Sequence, residues 1–85
     1  MLSFEYVIKD KIGIHARPAG LLVKKAKEYK SIVTISANGK SAKASALMAL
    51  MGMCVKNGMT VLISAEGEDE AECIEGMKQF FEENL

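Results

Sequence analysis

Asn38-Gly39 stands between Ile32–Ala37, a run rich in β-branched residues, and Lys40–Ala44, where small and polar residues alternate. Asn-Gly readily adopts the two positive-φ conformations of a tight turn whose twist matches paired strands. An antiparallel hairpin in mid-chain follows, and only folds built on a sheet remain open. The polar second arm reads as a sheet edge. Leu2–Lys9 alternates in the same way, with Phe4, Tyr6 and Ile8 on one face and Ser3, Glu5, Val7 and Lys9 on the other. Met59–Ala65 is the fourth strand, with Val61 and Ile63 sharing a face.

The intervening segments are helical. From Ala16 to about Tyr29, residues Ala19, Leu22, Val23 and Ala26 form an apolar stripe, and Lys24, Lys25 and Lys27 sit toward the end that favours cations. Ala46–Met53 is dense in Ala, Leu and Met and reads as a short helix, with Asn57-Gly58 as its exit turn. Asp69 is the expected N-cap of a last helix running to about Glu83, and Glu72 holds the capping-box position. Ile74, Met77 and Phe81 are its stripe, flanked by Cys73 and Phe80. The order β-α-β-β-α-β-α, with one hairpin and longer helical crossings, predicts an α+β two-layer sandwich.

Composition removes several functional classes. The chain has 85 residues, enough for one domain with one core, and 49% are hydrophobic. Its 11 basic and 11 acidic side chains cancel, which disfavours a nucleic-acid binder. Cys54 and Cys73 fit no metal-ligand spacing and read as reduced thiols in or near the core. Charges at Glu5, Lys9, Asp10 and Lys11 interrupt any signal-peptide run, and no stretch is apolar enough to span a bilayer. The expectation is a cytoplasmic protein that engages no membrane.

The only histidine, His15, lies in Gly13-Ile14-His15-Ala16-Arg17-Pro18-Ala19-Gly20, between the first strand and the first helix. A helix N-terminus offers unpaired N–H groups and a positive dipole end, which suit a phosphate. Arg17 adds a permanently charged planar guanidinium. Pro18 fits a first turn, where its missing N–H has no partner to lose. Ala16 and Arg17 are then the expected backbone donors to a phosphate on His15. Because a residue before proline resists the α region, Arg17 is either distorted or itself the cap. Gly13 and Gly20 ease a tight entry and a partner's approach. No neighbouring Ser, Cys or Asp completes a hydrolytic triad, and no second strong ligand makes a metal site. Residue types alone favour a plainer reading, a helix-capping histidine beside a solvated arginine.

Positions 13–19, Gly-Ile-His-Ala-Arg-Pro-Ala, resemble the active-centre signature of the HPr family, the histidine-containing phosphocarriers of the bacterial phosphoenolpyruvate:sugar phosphotransferase system. The similarity continues through Lys24 and Lys27, Asn38-Gly39-Lys40-Ser41-Ala42, and Ile63 to Glu70. The resemblance implies an open-faced β-sandwich, a four-stranded antiparallel sheet in order 1-4-2-3 with three helices on one face. It implies that Enzyme I passes a phosphoryl group to Nδ1 of His15, that Arg17 helps bind and release it, and that the enzyme IIA domain of a sugar permease receives it. Such a protein is a covalent carrier, not an enzyme, and needs no cofactor. A regulatory phosphocarrier, from a nitrogen-related or permease-less branch, is the alternative.

A carrier must meet successive partners with one surface. Gly20, Leu21, Lys24 and Lys27 are expected on the exposed side of the first helix, and Leu47, Met48 and Met51 on the second. Methionines adapt to several partner shapes, and the lysines steer acidic ones. A monomer serves this role most simply. Two departures from the family stand out. Many Gram-positive relatives carry a regulatory serine, the substrate of a kinase/phosphorylase and the basis of corepressor binding, where this chain has Ala46; its serine is Ser45. A one-residue shift at a helix start turns a side chain by about 100°, so inefficient phosphorylation is expected, and Ser45 reads as a helix cap. Ile12 replaces a small polar residue common in relatives and removes a hydrogen bond near the phosphate.

Overall fold

A computed structural model describes residues 1–85. The elements are β1 (Leu2–Val7), α1 (Ala16–Ala26), β2 (Ile32–Ala37), β3 (Lys40–Lys43), α2 (Leu47–Gly52), β4 (Thr60–Glu66) and α3 (Glu70–Asn84). The four strands form one antiparallel sheet in order β1-β4-β2-β3, as expected. Asn38 and Gly39 occupy the left-handed region at φ 52° and 74°, closing β2 onto β3 with Ala37 opposite Lys40.

The pleat sorts the side chains. Phe4 pairs with Ile63, Ile63 with Ile35, and Ile35 with Ala42, so one apolar row crosses the whole sheet. That row faces the helices, and Leu22 of α1, Leu50 of α2 and Met77 and Phe81 of α3 are buried against this face. Phe81 meets Phe4, Tyr6 and Phe80 edge-on at ring-centre distances of 6.1, 5.5 and 5.9 Å. The other face carries exposed Val7, Leu62 and Ile32 among Ser and Thr side chains. Cys73 lies in the core, where burial pushes its thiol up to about 11, whereas Cys54 is exposed, not core.

Several boundaries move for identifiable reasons. α1 ends at Ala26, not near Tyr29, because the amides of Glu28 and Tyr29 bond three residues back, tightening the last turn. The next two amides, of Lys30 and Ser31, are captured by the carboxylate of Asp69 at 2.8 and 2.9 Å. Asp69 is the N-cap of α3 by position, but its side chain caps nothing there. It also accepts the Ser31 hydroxyl at 2.5 Å, so the expected capping box with Glu72 does not form. α2 exits through Cys54, which adopts φ 55°, and not through Asn57-Gly58. That later pair turns the chain into β4, with the Gly58 amide on the Ile8 carbonyl at 2.8 Å.

Candidate functional site

The loop from β1 to α1 is held at three points. The Lys9 and Asp10 amides both donate to the Leu85 carbonyl beyond α3, and Asn57 Nδ2 donates to the Lys9 carbonyl at 3.1 Å. Asp10 Oδ1 then accepts the amides of Ile12 and Gly13 at 2.9 and 3.1 Å, folding the loop back on itself. Gly13, at φ 90°, lies against the segment after α2; an added Cβ would stand 2.2 Å from the Val55 carbonyl oxygen. This close approach lets the Ile14 amide donate to that same carbonyl at 3.0 Å. Ile14 is buried, so the next residue is presented from an anchored backbone.

That residue is His15, the N-cap of α1. Its backbone is extended at φ −116° and ψ −174°, and its carbonyl accepts the first helical bond from Ala19 at 2.9 Å. The imidazole makes no capping bond. The plainer reading of a helix-capping histidine therefore applies to its backbone only. Arg17 lies inside the helix and so is not its cap, and Pro18 fills the third helical position. The Ala16 and Arg17 amides have no protein acceptor, and Arg17 makes no ion pair. Two free N–H groups and a free guanidinium thus stand beside a partly exposed imidazole.

A shallow cleft joins Asp10, His15, Arg17, Pro18 and Leu21 to Glu83 and Asn84 at the end of α3. Sequence reasoning missed Asp10, Glu83 and Asn84. The last two reach the cleft only through the packing of α3, which leaves no local signal. Asp10 sits two and three residues before amides it binds, a spacing typical of aspartate-led turns that was open to reading.

The expected contact surface adjoins this cleft. Leu21 is 44% exposed on α1, and on α2 Met48 is 80%, Leu47 39% and Met51 38% exposed. Gly20, Lys24 and Lys27 are exposed, and neither lysine is ion-paired. Ile12 is 66% exposed on the loop. Ser45 corrects the sequence reading, because Ala46 is the N-cap of α2 and no side chain caps it. Ser45 is exposed one position before the cap, so a rotation about the helix axis does not describe its displacement. No helix is long and apolar enough to cross a membrane.

Residues 2–83 match the family model described as the PTS HPr component phosphorylation site. The chain belongs to the PTS HPr family of phosphocarriers. It is 40% identical over 79 residues to the phosphocarrier protein HPr of Mycoplasma capricolum, spanning 93% of this chain and 89% of that protein. The crystal structure of HPr-C-His from Thermoanaerobacter tengcongensis superposes with a TM-score of 0.93 at 36% identity, covering 99% of this chain and 94% of that one. The Bacillus subtilis catabolite-repression protein Crh, whose crystal structure is a domain-swapped intertwined dimer, superposes with a TM-score of 0.78 at 34% identity, covering 100% of this chain and 98% of that one.

Proposed function

We propose that His15 carries the phosphoryl group, accepting it from Enzyme I and passing it to an enzyme IIA domain of a sugar permease. The observation that carries this reading is the pair of unpartnered amides, Ala16 and Arg17, beside the imidazole at the α1 N-terminus. Nδ1 is the acceptor, because it is the ring nitrogen nearer the backbone and a phosphate on it stays close to those amides. Its lone pair attacks phosphorus as the bond to the donor breaks, and the Arg17 guanidinium follows the phosphate oxygens through the exchange. Arg17 is exposed, so its pairing with the phosphate is weak and does not oppose release of the group to the next partner. Both partners meet the protein on Gly20, Leu21, Lys24, Lys27, Leu47, Met48 and Met51. The protein acts as a cytoplasmic monomer and does not turn over by itself.

The test is phosphorylation by Enzyme I and labelled phosphoenolpyruvate. Acid-labile, base-stable label is expected on the wild type and none on His15→Ala; a wild type that takes no label from several Enzyme I proteins would defeat the reading. Arg17→Ala is expected to slow transfer about tenfold or more with the fold intact, as for loss of a charge-assisted contact to phosphate. Regulation through Ser45 is the weaker reading. Its hydroxyl precedes the helix and Ala46 holds the cap, so a family kinase with ATP is expected to leave it largely unmodified. Stoichiometric phosphate on Ser45 by mass mapping would reverse that conclusion.

A further inference from the structure

We infer that Asp10 is a positioning residue for phosphoryl transfer, holding the His15 ring by its Nε2 edge so that Nδ1 faces the incoming phosphorus. This rests on the reading of His15 as the carrier. The Asp10 carboxylate oxygen Oδ1 lies 3.9 Å from Nε2, beyond hydrogen-bond length but within ion-pair reach. That oxygen is fixed in place: it accepts the Ile12 and Gly13 amides, and the Asp10 backbone is tied to Leu85. The two side chains are about one-third exposed, at 35% for His15 and 30% for Asp10, and both line the cleft. Nδ1 has no protein partner, so the carboxylate faces one ring nitrogen and leaves the other free.

The chemistry gives this arrangement a direction. A neutral imidazole carries its proton on one nitrogen and its lone pair on the other. A carboxylate beside Nε2 favours the proton there, which leaves the lone pair on Nδ1. When Nδ1 bonds to phosphorus, the donor–phosphorus bond breaks and the Nε2 proton stays where it is. The ring thereby gains positive charge, and the nearest fixed negative group is Asp10. The carboxylate opposes that charge on one edge while Arg17 and the free amides hold the phosphate on the other.

Asp10→Asn removes the charge and keeps an oxygen able to accept the Ile12 and Gly13 amides. Transfer from Enzyme I is expected to fall about fivefold, the effect of a partly exposed ion pair. Nitrogen-15 NMR of the unphosphorylated protein is expected to show a smaller share of neutral rings with the proton on Nε2. The Ile12 and Gly13 amide resonances are expected to stay in place. Asp10→Ser, with a short acceptor and no charge, is expected to match Asp10→Asn. Wild-type transfer in both variants would overturn the inference, as would slower transfer with an unchanged ring tautomer. Slower transfer with displaced loop amides in both would also overturn it, leaving Asp10 a loop-folding residue only. A wild type that accepts no phosphoryl group would instead defeat the underlying reading of His15.

Discussion

Asp69 shows how one side chain can be diverted from a local task to a distant one. Its carboxylate takes three hydrogen bonds from Lys30 and Ser31, more than 35 residues away. The Ser31 hydroxyl first, and the Lys30 amide next, hold the Asp69 carboxyl below the usual carboxylate range. Such a group stabilises the fold fully above its unfolded pKa, about 4, and that contribution is lost as pH falls from there through the lower folded value. Asp69→Ala is therefore expected to lower the urea midpoint at neutral pH, with the gap from wild type narrowing below about pH 4. A gap that stays constant into acid would show that the ionised carboxylate contributes nothing. This clamp ties the connection between α1 and β2 to the start of α3.

At the scale of elements, α2 is the least supported. It has six residues, no side-chain cap and no charged residue in its first turn. Ala46 is the N-cap at φ −105° and ψ 89°, close to the extended backbone in which Ser, Thr and Asp caps work. Ala46→Ser is expected to add about 0.5–1 kcal/mol, read as a higher urea midpoint at an unchanged denaturant slope. No gain would mean that the hydroxyl fails to reach the free amides of the first turn. The elements themselves were legible from sequence wherever the signal was local. Ile32–Ala37 appears with its expected limits, and Asn38-Gly39 makes the expected turn. The errors fall where a distant partner decides. Asp69 looks like a cap until Ser31 competes for it, and α1 looks longer until the Glu28 and Tyr29 amides tighten its last turn. Ser45 looks like a cap because the exact first residue of a short helix is not written in its composition.

At the scale of the molecule, the core and the candidate site are largely separate. His15, Arg17 and the α1 and α2 surface were open to sequence reading because the motif is contiguous and the apolar residues of α2 exceed what one helix face can bury. The cleft walls at Glu83 and Asn84, and the approach of Asp10 to the ring, arise only when α3 and the loop pack together. Separation predicts opposite phenotypes for two apolar substitutions. Phe81 is fully buried among Phe4, Tyr6 and Phe80, so Phe81→Ala is expected to cost about 3–5 kcal/mol. For a domain of this size that lowers Tm by roughly 15–30 °C. In the cold, where the variant is folded, its phosphoryl transfer is expected to stay near wild type. Met48 is 80% exposed, and Met48→Asp is expected to leave Tm within a few degrees while slowing transfer to an acidic partner about tenfold or more. Thermal melts and transfer rates on the two variants test the separation directly. A stable Met48→Asp protein with full transfer rates would remove α2 from the docking surface. A cold, folded Phe81→Ala protein without transfer would show that the core sets the site geometry after all.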